Sequence, residues 1–246
     1  MSGSSYVSIS LATVLERSLD TTANNIANMS TTGFKASRPV LDSVATDLGG
    51  MDAEAVNFIR EKGHYIVMEQ GAAIKTNNPL NIAMSGSDWF GYQAEDGTQA
   101  YGRDGQLAVT SDGTLVTTNG AAILDEGGGQ ITLPPDVGSN ISIARDGMIT
   151  DGEGNVLAQI GRFSTDNPNT LKAIGGGLYV PEGNAEFAPS EESEILHGYL
   201  EQSNVNGTLE VTRLIEIQRA YERAVKVIDQ SDELSRTAIQ RISRSV

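Results

Sequence analysis

Residues 23–35, "ANNIANMSTTGFK", decide how the chain is read, because they end a helix in an unusual way. Upstream, Val7, Leu11, Leu15, Leu19, Thr22 and Ile26 recur in steps of three and four, the spacing that lines one helix face. No Gly or Pro interrupts between Ser4 and Gly33, so a helix is expected over 5–28. Asn, Ser and Thr then accumulate up to Gly33, and these residues accept cap and left-handed conformations. Arg38-Pro39 opposes a continuing helix, since Pro drives its predecessor towards extended backbone. Nothing in the stretch is an obvious catalytic group.

Beyond it the texture changes. Over 40–200, short apolar runs are punctuated by Asp96-Gly97, Asp104-Gly105, Asp112-Gly113, Asn119-Gly120, Asp146-Gly147 and Asp151-Gly152. Such pairs supply the positive φ that tight hairpins need. The runs "QLAVT", "TLVTT", "NISIA" and "VLAQIGRF" read as short strands, so this zone is expected to be mainly antiparallel β. A second helix is expected over 206–244, capped by Asn206. Leu214, Ile217, Tyr221, Ala224, Ile228 and Ser231 form its stripe, continued by Ala238 and Ile242. At roughly 36 residues it spans about 54 Å, which calls for a partner helix, and the first helix is the natural one. Val211, Ile215, Val225 and Val227 lie off the stripe, so the helix is apolar on more than one side and needs further neighbours. The fold class is therefore α+β, with two terminal helices paired around a central β domain.

Composition narrows the function. The 246 residues carry a net charge of −15, which opposes nucleic-acid and anionic-membrane binding. There is no Cys, so thiol chemistry, disulfides and Cys-ligated zinc are excluded. No membrane span and no cleaved secretory signal is expected. His64 and His197 stand alone in unrelated contexts, where a His is usually a packing or surface residue. "DGEGN" at Asp151 fails as a calcium loop, because Val156 and Arg162 occupy its sixth and twelfth positions. The Gly-rich "ILDEGGGQ" and "IGGGLYV" lack the Lys-Ser/Thr of a phosphate loop. Asp125-Glu126 and Glu191-Glu192 read as solvated surface among 32 acidic residues. A carboxylate-only hydrolase stays open as an alternative, although such enzymes need sugar-binding aromatics and this chain has one Trp. No catalytic, cofactor-binding or metal-binding residue is assigned.

"LDTTANNIANMSTTGFKASR" resembles the N-terminal signature of the flagellar rod and hook proteins, an Ala-Asn-Asn-(Ile/Leu)-Ala-Asn core followed by Thr-Thr/Asn-Gly-Phe-Lys. Asn24, Asn25, Ile26, Ala27, Asn28, Thr31, Gly33, Phe34 and Lys35 match. "AYGRDGQLAVTSDGTLVTTNGAAIL" is similar to the family's Tyr-x-Arg-Asp/Asn-Gly segment. "GYLEQSNVNGTLEVTRLIEIQRAYE" is similar to its C-terminal block, through Asn204, Val205, Asn206, Arg219, Ala220 and Tyr221. Two positions depart from the pattern: Trp89 stands where the family has Phe, and Gly207 where a better helix former is usual. Length and the ending "VIDQSDELSRTAIQRI" look more like the proximal rod proteins than the distal rod protein or the longer hook protein.

The resemblance implies an architecture and a job. Residues 1–35 and 201–246 would be the helices of a coiled-coil-like inner rod domain, 36–75 an extended connector, and 76–200 a β-rich outer domain. Leu11, Leu15, Leu19, Leu214, Ile217, Ala224 and Ile228 would form the helix interface. The implied function is a structural axial subunit of the rod that crosses the periplasm. Its partners would be copies of itself, rod proteins of the FlgB, FlgC and FlgG types, and the flagellar type III export apparatus. The opening stretch would be the corner where the inner helix hands the chain outward, with Phe34 as an apolar anchor and Lys35 as a charged one. A distal rod subunit is the near alternative, and a secreted adhesin with a helical stalk the distant one.

Overall fold

One turn, used repeatedly, builds the middle of the chain. In each case the first residue's N–H bonds the carbonyl four residues on, while the N–H of the fourth residue bonds the first carbonyl. Examples are Ala94–Thr98, Thr110–Thr114, Thr117–Ala121 and Ala144–Met148. The fourth residue is Gly97, Gly113, Gly120 or Gly147, with φ between 83° and 89°, where a side chain would be strained. Asp96 and Asp146 add a carboxylate bond to the N–H two residues on, at 2.9 and 3.1 Å. Gly105 and Gly152 depart from the expected pattern and keep φ outside this region. In the Asp151 turn the left-handed residue is Gly154.

The computed structural model describes residues 3–46, 56–134, 141–183 and 185–244. The chain divides into two units, and it passes between them at 27/28, 36/37, 64/65 and 205/206.

The β-rich unit comprises residues 28–36 and 65–205. Its largest sheet runs in the order Leu171–Gly175, Leu178–Pro181, Gln99–Gly102, Trp89–Gln93, Ala122–Ile123, Leu115–Thr117, Leu107–Val109. Arg162–Ser164 adds to Trp89–Gln93 and in turn carries Ala188–Pro189. Ile141–Ile143, Met148–Asp151 and Val156–Gln159 form a separate sheet of three. Two further ribbons pair Ile82–Ser85 with Glu194–His197, and Ala73–Lys75 with Tyr199–Glu201. Every one of these pairings is antiparallel. Strands alternate as period-two patterning requires: Ile141 and Ile143 are buried and Ser142 exposed. The main core gathers Ile82, Met84, Phe90, Tyr92, Leu115, Ile123, Leu133 and Ile149. A smaller aromatic core holds Trp89, Tyr101, Phe163 and Tyr179.

The helical unit comprises residues 1–27, 37–64 and 206–246. Helix α1 is Gly3–Ala27 and helix α2 is Gly207–Arg244, and the two are neighbours. Strands β1 (Ser37–Thr46) and β2 (Val56–Ile66) pair with each other. The most buried line of α1 is Val14, Ser18, Thr21, Thr22 and Asn25. That line sits one position before the leucine stripe, so Leu11, Leu15, Leu19 and Ile26 flank it, half-buried. Small hydroxyl residues tolerate the buried line because they bond the preceding turn: Ser18 Oγ donates to the Val14 carbonyl and Thr22 Oγ1 to that of Ser18, both at 2.8 Å. On α2, Ala224 is buried, and Leu214, Ile217, Tyr221, Ile228 and Ser231 are half-buried. The expected continuation stops there. Ala238 is exposed, since α1 has 25 residues against the 38 of α2 and cannot cover its whole length. The side chain of Ile242 lies outside the described residues.

Asn206 caps α2 as its residue type requires: its Oδ1 accepts the Leu209 N–H at 3.2 Å. Asn206→Ala is expected to cost about 1 kcal/mol locally, read as roughly fivefold faster amide exchange at Leu209. Asn206→Asp should leave it unchanged.

Candidate functional site

Gly33 has φ +67°, and a Cβ built on it would lie 2.3 Å from the Arg103 carbonyl carbon and 2.5 Å from the Asp104 nitrogen. The backbone of the opening motif therefore touches the backbone of the "YGRDG" segment, and only glycine permits it. On its other side, the Gly33 N–H donates to the Glu201 carbonyl at 2.8 Å. Three stretches far apart in sequence meet at this residue, all within the β-rich unit.

Lys35 follows two residues later and is wholly enclosed. Its Nζ donates to Glu201 Oε1 at 2.7 Å and to the Glu69 carbonyl at 2.8 Å. Arg103 Nη1 donates to the second oxygen of Glu201 at 3.3 Å, and its Nη2 to the Gly86 carbonyl at 2.8 Å. Glu201 Oε1 also accepts the Gly71 N–H at 3.0 Å. Gly71 is another forced glycine, since a Cβ there would fall 1.8 Å from the Gln202 carbonyl oxygen. Lys35 and Arg103 are each 1% exposed and Glu201 is 0% exposed, so one carboxylate serves two buried cations. Burial pulls the Lys35 ammonium below its ordinary range, opposed by Glu201 and reinforced by the Arg103 charge. Burial likewise lowers the Arg103 guanidinium, again opposed by Glu201.

Neighbouring groups finish the enclosure. Asn204 accepts the Ala36 N–H at 2.7 Å and donates to the Val67 and Glu69 carbonyls at 2.8 and 2.9 Å. Phe34 is buried and its carbonyl accepts the Asn204 N–H at 3.3 Å. Tyr179 donates its hydroxyl to the Lys35 carbonyl at 3.3 Å, and burial pushes that phenol up to about 12. The Arg103 guanidinium lies over the Trp89 ring, 5.5 Å from its centroid. Trp89, in the place of the family's Phe, packs edge-on to Tyr179 at 5.4 Å.

The helical unit has its own polar knot. Asn25 is fully buried: its Oδ1 accepts the Ser37 N–H at 3.0 Å and its Nδ2 donates to the Ser37 carbonyl at 2.9 Å. The side chain thereby ties α1 to β1 as another strand would. Its Nδ2 also reaches Glu210 Oε2 at 3.4 Å. Arg38 donates to both oxygens of Glu210 in a two-pronged pair, and Arg213 adds a contact at 3.1 Å. Burial pushes the Glu210 carboxyl up, but Arg38, Asn25 and Arg213 outweigh it and leave it below the ordinary range.

The remaining motif residues are less enclosed. Asn28 and Thr31 form the turn after α1, with Thr31 Oγ1 donating to Asn28 Oδ1 at 3.1 Å. Asn24, Ala27 and Arg219 are exposed, while Ile26, Val205, Ala220 and Tyr221 are half-buried. Sequence reasoning missed Glu201, Arg103, Arg38 and Glu210. All four lie inside the quoted motif blocks; for Glu201 a lone charge among uncharged neighbours was the available signal. His64 Nε2 lies 2.9 Å from Thr21 Oγ1, and His197 Nε2 lies 2.9 Å from the Pro79 carbonyl. The Asp151 carboxylate is spent on its own turn, accepting Glu153 and Asn155 N–H groups at 2.8 Å. Among the described residues, no cluster of His, Asp and Glu side chains is arranged to hold a metal. Each polar knot joins a carboxylate to two cations and to backbone groups or an amide of its own unit.

Comparison with known proteins agrees with these motifs. Residues 7–35 match the family described as flagella basal body rod protein. Residues 83–151 match the flagellar hook protein FlgE/F/G D1 domain, and residues 196–241 match the flagellar basal body rod FlgEFG protein C-terminal region. The flagellar basal-body rod protein FlgF of Caulobacter vibrioides is 38% identical over 99% of both chains. That of Mesorhizobium japonicum is 32% identical over 98% of both. The rod protein FlgG of Agrobacterium fabrum is 33% identical over 89% of this chain and 92% of its own.

Three outcomes are expected in urea denaturation of the purified chain. Gly33→Ala should lose at least about 3 kcal/mol, because left-handed strain and a backbone collision add; a loss under about 1 kcal/mol would contradict the close approach. Glu201→Gln should cost about 3–5 kcal/mol, as it strands two cations. Lys35→Met should cost less, because Arg103 still answers Glu201; the reverse order would contradict the arrangement. Asp104 supplies the third. Burial raises its carboxyl to about 6, against the pull of the Gln106 N–H, and an unfolded Asp titrates near about 3.9. The folded state therefore holds this proton more tightly, and stability falls as pH rises from about 4 to about 6. Asp104→Asn should remove that slope and gain up to about 3 kcal/mol at neutral pH.

Proposed function

The chain belongs to the flagellar basal-body rod protein family, and on that premise we propose that it is a structural axial subunit of the bacterial flagellar rod, of the FlgF type. The proximal-rod reading is favoured over the FlgG one by near-complete alignment with the FlgF relatives of Caulobacter vibrioides and Mesorhizobium japonicum. Its work is assembly and load-bearing, not turnover. The subunit joins copies of itself and rod proteins of the FlgB, FlgC and FlgG types. It reaches the periplasm through the flagellar type III export apparatus. Among the described residues no helix is long and apolar enough to cross a membrane.

The observation that carries this reading is the apolar surface left open on α2. Leu209, Val211, Ile215, Val227 and Leu234 are exposed, between 44% and 71%. Val211, Ile215 and Val227 belong to the off-stripe positions that the sequence marks as needing a second neighbour. By helical spacing Val211 and Ile215 lie on one flank of the covered stripe and Leu209, Val227 and Leu234 on the other, and a helix apolar on more than one side is suited to more than one neighbour. With one helix face turned to α1 and another left over, α2 is suited to head-to-tail contacts that repeat without closing, as a helical rod requires. Within the assembled rod, α1 and α2 pair as a coiled-coil-like inner domain. Leu11, Leu15 and Leu19 on one side and Leu214, Ile217, Ala224 and Ile228 on the other line its seam.

A Val211→Glu/Ile215→Glu variant tests this. Both sites are exposed, so the purified chain should melt within about 0.5 kcal/mol of the parent. Cells carrying it in place of the parent should not swim and should lack complete basal-body rods. Normal swimming with normal rods would refute the assignment of this face to assembly.

A further inference from the structure

Gly207 stands where the family has a better helix former, and no positive φ at that position requires a glycine. It makes Asn206-Gly207 one of two Asn-Gly pairs in the chain, the other being Asn119-Gly120. An Asn followed by Gly carries a latent reaction. The glycine's backbone nitrogen can attack the side-chain amide carbon that precedes it, and the missing side chain leaves the approach open. The two pairs sit in opposite surroundings.

At Asn119 the reacting parts are engaged. The Gly120 N–H donates to the Thr117 carbonyl at 3.0 Å, and Asn119 Nδ2 donates to the Gly176 carbonyl at 3.4 Å. Among the described residues no donor reaches Asn119 Oδ1. At Asn206 the parts are free or activated. Gly207 is the first residue of α2, where a helix offers the N–H no internal acceptor, and among the described residues it finds none elsewhere. Asn206 is exposed, so water reaches it. Its Oδ1 accepts the Leu209 N–H at 3.2 Å, at the positive end of the α2 dipole. The bond that caps the helix therefore draws electrons from the amide carbon, and it stabilises the negative charge that grows on Oδ1 when a nucleophile adds.

We propose that Asn206 is a self-modification site, deamidated by intramolecular attack with the N-terminus of α2 as its oxyanion stabiliser. The Gly207 nitrogen bonds to Asn206 Cγ and gives up its proton; the Cγ–Nδ2 bond breaks, and Nδ2 leaves as ammonia. The resulting succinimide takes up one water, the only co-reactant, and opens at either carbonyl to aspartate or isoaspartate. Nucleophile and amide belong to adjacent residues, so no encounter has to be arranged. The two products differ in consequence. Aspartate keeps the cap and adds a negative charge where the helix dipole favours one. Isoaspartate reroutes the backbone through the side chain, and turns the carbonyl that accepts the Glu210 N–H at 3.0 Å into a pendant carboxylate. The site stands whether or not the assembly reading holds.

Incubation of the folded full chain at mildly alkaline pH, followed by peptide mass mapping, tests this, because Asn206 and Asn119 fall on different tryptic peptides. Asn206 should convert at least about tenfold faster than Asn119. In urea, where both pairs lose their surroundings, the two rates should come within about threefold of each other. Gly207→Ala introduces a better helix former, so the variant should fold; it should slow conversion of Asn206 at least about tenfold and leave Asn119 unchanged. No conversion at Asn206, conversion of Asn119 at the same rate, a gap that persists in urea, or an unaltered Asn206 rate in Gly207→Ala would each overturn the proposal.

Discussion

A single carboxylate, Glu201, is shared by two cations in a space closed to water. Removing three charges from solvent is expensive, and such a cluster is worth less to stability than a well-packed apolar core of the same volume. What it supplies is placement. Glu201 can satisfy Lys35, Arg103 and the Gly71 N–H at once only when the chain around residues 33–36, 69–71, 86, 103 and 201–204 has one arrangement. Gly33 and Gly71 allow the backbones to come close enough for this, and Asn204 bonds the segments on either side. The segment that begins as the tail of a helix is thereby built into the β-rich unit.

This division of labour suits a load-bearing subunit. Within the buried cluster, Lys35, Glu201 and the Arg103 Nη atoms are engaged with one another and with nearby backbone. The apolar surface of α2 is the reverse, with few partners inside the chain. Exposed Leu and Val side chains recur along it.

Much of the architecture was legible in the residues. The Asp-Gly pairs marked hairpins because their φ demand is chemical and local. The stripe of Leu214, Ile217, Tyr221, Ala224 and Ile228 marked the covered face of α2 because steps of three and four follow the helical period, and each of these is buried or half-buried. On α1 the stripe found Thr22 on the buried line, while Leu11, Leu15, Leu19 and Ile26 flank that line half-buried. The buried line is Ser18, Thr21, Thr22 and Asn25, whose hydroxyls and amide bond backbone and so pack close without cost. Hydrophobic periodicity cannot see such a line. Asn25 and Lys35 were picked out by motif, but their partners Ser37, Glu69 and Glu201 were not, since pairing across 12 to 166 residues depends on the finished fold. Phe34 as an apolar anchor and Lys35 as a charged one describe their surroundings well, with the difference that Lys35 is anchored within its own chain.

Hydrogen exchange on the purified, unassembled chain tests the central claim most directly, namely that the corner is locked by the chain itself. The Gly33, Ala36 and Gly71 amides should exchange as slowly as those of the Trp89–Gln93 strand, and open together with it. The last turns of α2, past Ser231, should exchange orders of magnitude faster. Corner amides that exchange as quickly as the end of α2, beside a protected β core, would mean that the Glu201 cluster forms only when neighbouring subunits are present, and would contradict the account.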